Sequence, residues 1–135
     1  MSSLDDSANR VAKAYKSFDI SQALKGKQCS YDPGTDQITL NFETIRRYLD
    51  IFKILHELAH REQKVQMLIY GDEPQIEVSA NRIAYEAYEK LGYPLTYEVT
   101  RHINFNNVYQ LNRDLSQREI MRTIAGKKEL IWRLP

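Results

Sequence analysis

The stretch Ile54-Leu55-His56-Glu57-Leu58-Ala59-His60 carries the spacing H-E-x-x-H. Residues four apart on a helix share a face, one turn above the other. His56 and His60 can therefore each present a ring nitrogen to one metal ion. Glu57, turned by about 100° around the helix, reaches a water beside that ion without ligating it. Zinc suits this geometry, and the glutamate is then the general base of peptide hydrolysis. Two histidines at this spacing can also be a surface pair or two satisfied core side chains. The chain has only three histidines, however, and two of them sit here with a glutamate between.

The flanking residues support the metal reading. Ile45, Tyr48, Leu49, Phe52, Leu55 and Ala59 fall on one helical face, with His56 and His60 at its edge. Ile51, Ile54 and Leu58 lie on the other side, so the helix is apolar almost all round. Such a helix is buried, and its polar side chains must find partners there. The pattern predicts a helix from about residue 43 to 70, with a break allowed after His60.

A catalytic zinc site needs three protein ligands and an open position. The extended pattern H-E-x-x-H-x-x-G-x-x-H is absent, because Gln63 and Gln66 occupy its Gly and His positions. The third ligand is then expected to be a carboxylate on the next helix, about Gln75 to Leu91, after a loop over Gly71-Asp72-Glu73-Pro74. In that helix Ile76, Ala80, Ile83, Ala84, Ala87 and Leu91 form the apolar stripe, and Glu77 sits at its edge. Glu86 and Glu89 point well round toward solvent, and Glu86 has Arg82 and Lys90 as four-apart neighbours. Glu77 is the better ligand on this geometry; its alternative role is a first-turn carboxylate facing the helix dipole.

Outward from these two helices the chain is less informative. Ala8, Val11, Ala12, Tyr15 and Phe18 follow helical spacing, which predicts a helix over residues 5–24 ended by Gly26. Residues 27–42 read as a hairpin: a strand to Tyr31, a turn at Asp32-Pro33-Gly34-Thr35-Asp36, and the alternating strand Gln37 to Phe42. Near the other end, Ser116-Gln117-Arg118-Glu119 is a capping box for a helix to about Ala125, closed by Gly126. Leu130, Ile131 and Trp132 suggest a tail that docks on the core. His102 is a candidate electrophile near the metal, although a lone histidine is more often structural.

The 135 residues suffice for one domain with its own core, and 42% hydrophobic with 27% charged residues is ordinary for a soluble protein. Cys29 is the only cysteine, so no internal disulfide forms, as expected in a reducing compartment. The polar first ten residues lack the apolar region of a secretory signal, and no apolar run reaches the length of a membrane span. A cytoplasmic protein is expected. Residues 101–135 hold 7 of the 19 Lys and Arg but 3 of the 18 Asp and Glu, a net of +4 against −3 for the first hundred. A basic end of this size is a solvated surface more often than a nucleic-acid site.

Taken together, the segments resemble the ImmA/IrrE family of gluzincin-type metallopeptidases. That family runs from a strand I-x-I/L-N to F-T-x-x-HELGH and then E-x-x-A-N-x-F-A. Here the matching residues are Ile38-Thr39-Leu40-Asn41, then Phe52 through His60, then Glu77-Val78-Ser79-Ala80-Asn81-Arg82-Ile83-Ala84. Ala59 and Ile83 stand where the family has Gly and Phe. The resemblance covers roughly residues 8–95. It implies one Zn2+ per chain on His56, His60 and Glu77, with Glu57 as catalytic base, and a specific intracellular protein as substrate, such as a helix-turn-helix repressor.

The expected fold is α+β: a small zincin-like domain, mostly helical, with a short antiparallel β-hairpin or sheet beside the helix carrying the two histidines. The whole chain reads as a single domain, with a family-like core to residue 95 and a helical C-terminal extension over 96–135. The expected activity is that of a zinc metallopeptidase. The alternative is a non-catalytic zincin-like binding module that acts through protein or nucleic-acid contacts of its basic C-terminal region. An intact Glu57 argues against that alternative, because a structural metal site needs no base.

Overall fold

A computed structural model describes residues 10, 11, 13–15, 23–41, 45–66 and 72–134. Helices dominate. The strands β1 (Leu24–Lys25), β2 (Ser30–Asp32) and β3 (Gln37–Leu40) precede the helices α1 (Tyr48–Val65), α2 (Glu73–Lys90), α3 (Tyr97–Leu111) and α4 (Gln117–Ile124). This is the small, mostly helical α+β domain expected.

The sheet is mixed, in the order β1-β3-β2. The β2–β3 hairpin is antiparallel, with Tyr31 opposite Ile38. Its turn is built by Asp32, whose side chain accepts from the Gly34 N–H at 2.9 Å, and by Asp36 at a positive φ of 55°. The alternation read in β3 holds, since Ile38 and Leu40 are buried. The turn rests on α1 through an Arg61–Asp36 ion pair at 3.4 Å and a bond from the Lys64 ammonium to the Pro33 carbonyl.

The expected N-terminal helix is corrected where the chain is described. Arg10 and Val11 are helical, but Lys13 to Tyr15 are not, and Leu24–Lys25 pairs with β3 in parallel. The free edge of β3 captured this segment, an interaction no local periodicity could announce. Gly26 is consequently not a helix stop. A Cβ there would overlap the Thr39 methyl group, so the close approach of the two strands requires glycine. The rest of that expected helix lies outside the described residues.

Helix α1 is the centre of the molecule. Ile51, Phe52, Ile54, Leu55, Leu58 and Ala59 are all buried, as an all-round apolar helix must be. It runs unbroken through His60 to Val65 and starts later than expected, at Tyr48. Asp50 sets the start: its carboxylate accepts from the main-chain N–H groups of Arg46 and Arg47 at 2.9 and 3.0 Å. Glu73 and Pro74 open α2 rather than forming a loop. Asp72 caps that helix with Gln75 as reciprocal partner, and proline is tolerated at the first positions because the N–H it lacks has no helical partner. Arg10 closes the other end of α2 by donating to the Leu91 carbonyl.

One cluster of buried side chains joins β3, α1 and α2 with Val99 and Ile103 of α3. Helix α4 starts at the Ser116–Glu119 capping box and is followed by Gly126 at φ +70°. The tail beyond it docks: Leu130 and Trp132 pack against the main cluster, with the Trp132 ring 6.3 Å from that of Tyr85. Two asparagines of α3 hold the tail's main chain. Asn104 donates to the Glu129 carbonyl and accepts from the Ile131 N–H, at 2.9 and 2.7 Å. Asn107 donates to the Ile131 carbonyl at 2.7 Å and accepts from Asn81 of α2 at 2.8 Å. These are buried polar groups with complete partners, which makes them costly to disturb.

Asn107→Ala leaves the Asn81 amide and the Ile131 carbonyl without a partner. The expected loss is about 2–4 kcal/mol in urea unfolding, with a red shift of the single tryptophan, Trp132, as the tail loosens. An unchanged stability and emission would mean that apolar contacts alone hold the tail.

Candidate metal centre

Two helices supply the donors. His56 and His60 stand one turn apart on α1, and Glu77 lies in the first turns of α2. The Nε2 atoms of His56 and His60 are 3.1 Å apart. The Glu77 carboxylate spans them, with Oε2 at 3.2 Å from His56 and Oε1 at 3.2 Å from His60. A tetrahedral ion with arms of about 2.0–2.1 Å has edges of about 3.3–3.4 Å. The three donors thus form a triangle of nearly the right size, and they are positioned to hold a metal ion. No other group of three such side chains converges among the described residues.

Local sequence explains the arrangement. Ala59 on α1 and Ala80 and Ala84 on α2 are fully buried. Side chains this small let helix axes approach closely, which brings a glutamate on one helix within reach of imidazoles on the other. The rival carboxylates are engaged at the surface instead. Glu86 pairs with Arg82 at 3.8 Å, and Glu89 accepts from the Tyr85 hydroxyl at 2.9 Å.

Gln63 completes the site, and sequence reasoning passed over it as merely the wrong residue for a longer zinc motif. It is buried, its oxygen lies 3.1 Å from His60 Nδ1, and its nitrogen donates to the Ile76 carbonyl at 2.9 Å. It therefore ties the ligand His60 to the start of α2, one residue before Glu77. Accepting the Nδ1 proton leaves Nε2 of His60 with its lone pair toward the metal. A signal existed: glutamine three residues after the second histidine falls on the same face one turn on. His56 Nδ1, by contrast, is buried with no partner among the described residues.

The charges respond to this crowding. The two imidazoles hold the Glu77 carboxyl far below the usual carboxylate range, against the opposing effect of burial. Burial disfavours the charged form of His60, but the Glu77 carboxylate outweighs it and the pKa rises. Glu57 moves the other way. Burial pushes its carboxyl up, and the neighbouring His56 and His60 only partly offset this. The main chain at Tyr31 of β2 lies beside the Glu57 carboxylate and adds a smaller lowering influence.

His56, Glu57 and Glu77 open onto a cleft of about 500 Å³. His102 and Asn106 of α3 line the same cleft. His102 packs edge-on against Phe52 at 5.9 Å, and burial, with Lys53 and His56 nearby, lowers its pKa to about 4. The structure thus brings His102 to the site, as a neutral side chain near pH 7. No family model matches the chain, and no curated protein or solved structure matches it.

Purified protein should bind close to one metal ion per chain, read by elemental analysis. His56→Ala and His60→Ala should abolish this and Glu77→Ala should weaken it strongly, whereas Glu86→Ala should leave it unchanged. Gln63→Leu should cost about 10–100-fold in metal affinity; an unaltered affinity would sink the orienting role assigned to it.

His102 also makes the stability of the metal-free protein depend on pH. The unfolded chain takes up this proton near pH 6.5, the folded chain near 4. The contribution is therefore full above about 6.5 and lost as pH falls toward 4, by an amount on the order of 2–3 kcal/mol. Subtracting the urea unfolding profile of His102→Gln from that of the wild type should isolate this slope, and parallel profiles would refute it.

Proposed function

We propose that this protein is a zinc metallopeptidase that hydrolyses a peptide bond in a specific protein substrate. The observation that carries the reading is the pairing of a three-donor triangle with a fourth residue, Glu57, beside it and outside it. A purely structural metal site closes with four ligands and needs no base. Here three donors leave a position open toward a cleft large enough for a peptide.

His56, His60 and Glu77 would hold the ion. Zinc, when bound, supplies Lewis acidity toward a carbonyl oxygen and acidifies water at its open position. Glu57 accepts the proton of the attacking water and delivers it to the leaving amine nitrogen. Its burial favours this role, because a carboxylate of raised basicity takes a proton more readily. The main chain of Tyr31, in β2, lies beside Glu57. Strand β2 is an outer strand of the sheet, so its unpaired main-chain groups can hold an extended substrate beside Glu57. The resemblance to ImmA/IrrE peptidases points to a repressor-like intracellular protein as the substrate class.

Glu57→Gln keeps the helix and the side-chain size but removes the basicity. The variant should retain its zinc, measured by elemental analysis, and lose about 10²–10⁴-fold in cleavage rate. Co-expression with candidate repressors should show cleavage by the wild type and retention of intact partner by the variant. If the variant reproduces the wild-type biological effect, the enzyme reading fails and a binding module takes its place.

A further inference from the structure

The charged groups of the cleft do not balance. Its carboxylates are all engaged. Asp50 accepts from the Arg46 and Arg47 N–H groups and from the Arg47 guanidinium, Glu77 accepts from both imidazoles, and Glu57 lies in the field of the same two imidazoles. Its two cations are not. Lys27, beyond β1, and Lys53, on α1, both line the cleft, are exposed, and form no ion pair with a described residue.

Lys53 occupies the more telling position. It lies one helical turn before Glu57 and one residue after Phe52, the ring against which His102 packs. Lys53 lines the cleft together with His102 of α3 and Cys29, which precedes β2. His56, Glu57 and Glu77 line the same cleft, so a peptide bound at the metal centre would share it with Lys53. From Leu49 to His60 every other side chain of α1 is buried or half-buried, and Lys53 alone is exposed, at the cleft.

We propose that this cleft selects a peptide carrying a carboxylate close to the scissile bond, with Lys53 as its main partner and Lys27 as a weaker second. The proposal rests on the peptidase reading and adds the chemical class of substrate. The carboxylate can belong to an Asp or Glu side chain or to the end of the substrate chain, because both offer the same charge and the same two acceptors to an ammonium group.

Three short probes separate these cases: an N-terminal malonyl hydroxamate, which chelates zinc, followed by Leu-Glu amide, Leu-Gln amide, or Leu-Gln with a free carboxyl end. Binding to the zinc-loaded protein is read by calorimetry at low salt. At least one carboxylate probe should bind about fivefold more tightly than the neutral amide, and which one does so identifies the source of the carboxylate. Lys53→Gln should remove this preference and Lys53→Glu should invert it. Lys27→Gln should reduce it, and added salt should shrink it. Lys53 is exposed, so both of its variants should keep the wild-type zinc content and melting temperature. Equal affinity of all three probes for the wild type would overturn the carboxylate site while leaving the peptidase reading in place. A preference that survives in Lys53→Glu would overturn the role of Lys53. Failure of every probe to bind zinc-loaded protein would instead remove the peptidase reading, and the proposal with it.

Discussion

The Glu77 carboxylate bridging two imidazoles across the α1–α2 interface is the contact on which the rest of the molecule depends. Its distances, 3.2 Å to each histidine, demand that two helices pack at a defined separation and register. Small buried residues on both helices permit the approach. Gln63 fixes the register by reaching from α1 to the Ile76 carbonyl while holding His60. A shift of one residue along α2 would carry Glu77 about 100° around its helix and away from both rings. The site is thus a statement about helix packing before it is one about metal chemistry.

Without an ion the three donors must satisfy one another. A carboxylate between two imidazoles is stable only while a ring carries a proton toward it, which is why the pKa of Glu77 falls and that of His60 rises. A metal ion replaces those protons with one larger charge, so binding and deprotonation are linked. Glu57 feels the same imidazole charges, but burial outweighs them and holds its carboxyl above the usual range. One glutamate is committed to holding charge in place and the other is left basic, although the two lie within the same cleft.

Helix α3 and the tail act as a brace behind α2. The chain of amides from Asn81 through Asn107 to Ile131 runs from the helix that carries Glu77 to the last described segment. Buried amides of this kind specify one arrangement, because any slippage leaves polar groups unpaired in a dry interior. Cation–π contact of Arg82 with Trp132, at 5.4 Å, fastens the same tail to the outer side of α2. The region that is basic by composition is therefore partly structural: it keeps α2 in place.

The sequence by itself determined the components that local chemistry dictates. Four-residue spacing of His56 and His60, an all-round apolar helix, an alternating strand at Gln37–Leu40 and the reciprocal end cap at Ser116 all follow from helical or strand geometry, and all are present. Glu77 was legible too, because the edge of an apolar stripe is where a ligand facing a neighbouring helix must lie. Tertiary structure alone decided what depends on contacts distant in sequence. Leu24–Lys25 became a strand because β3 offered a free edge, and Gln63 became an orienting residue because α2 placed a carbonyl beside it. His102 entered the cleft because α3 packs across α1, and Lys53 pairs with no described carboxylate because Asp50 and Glu77 have other donors. Periodicity reports which face of an element is buried; it carries no information about which residue, from which element, waits on the other side.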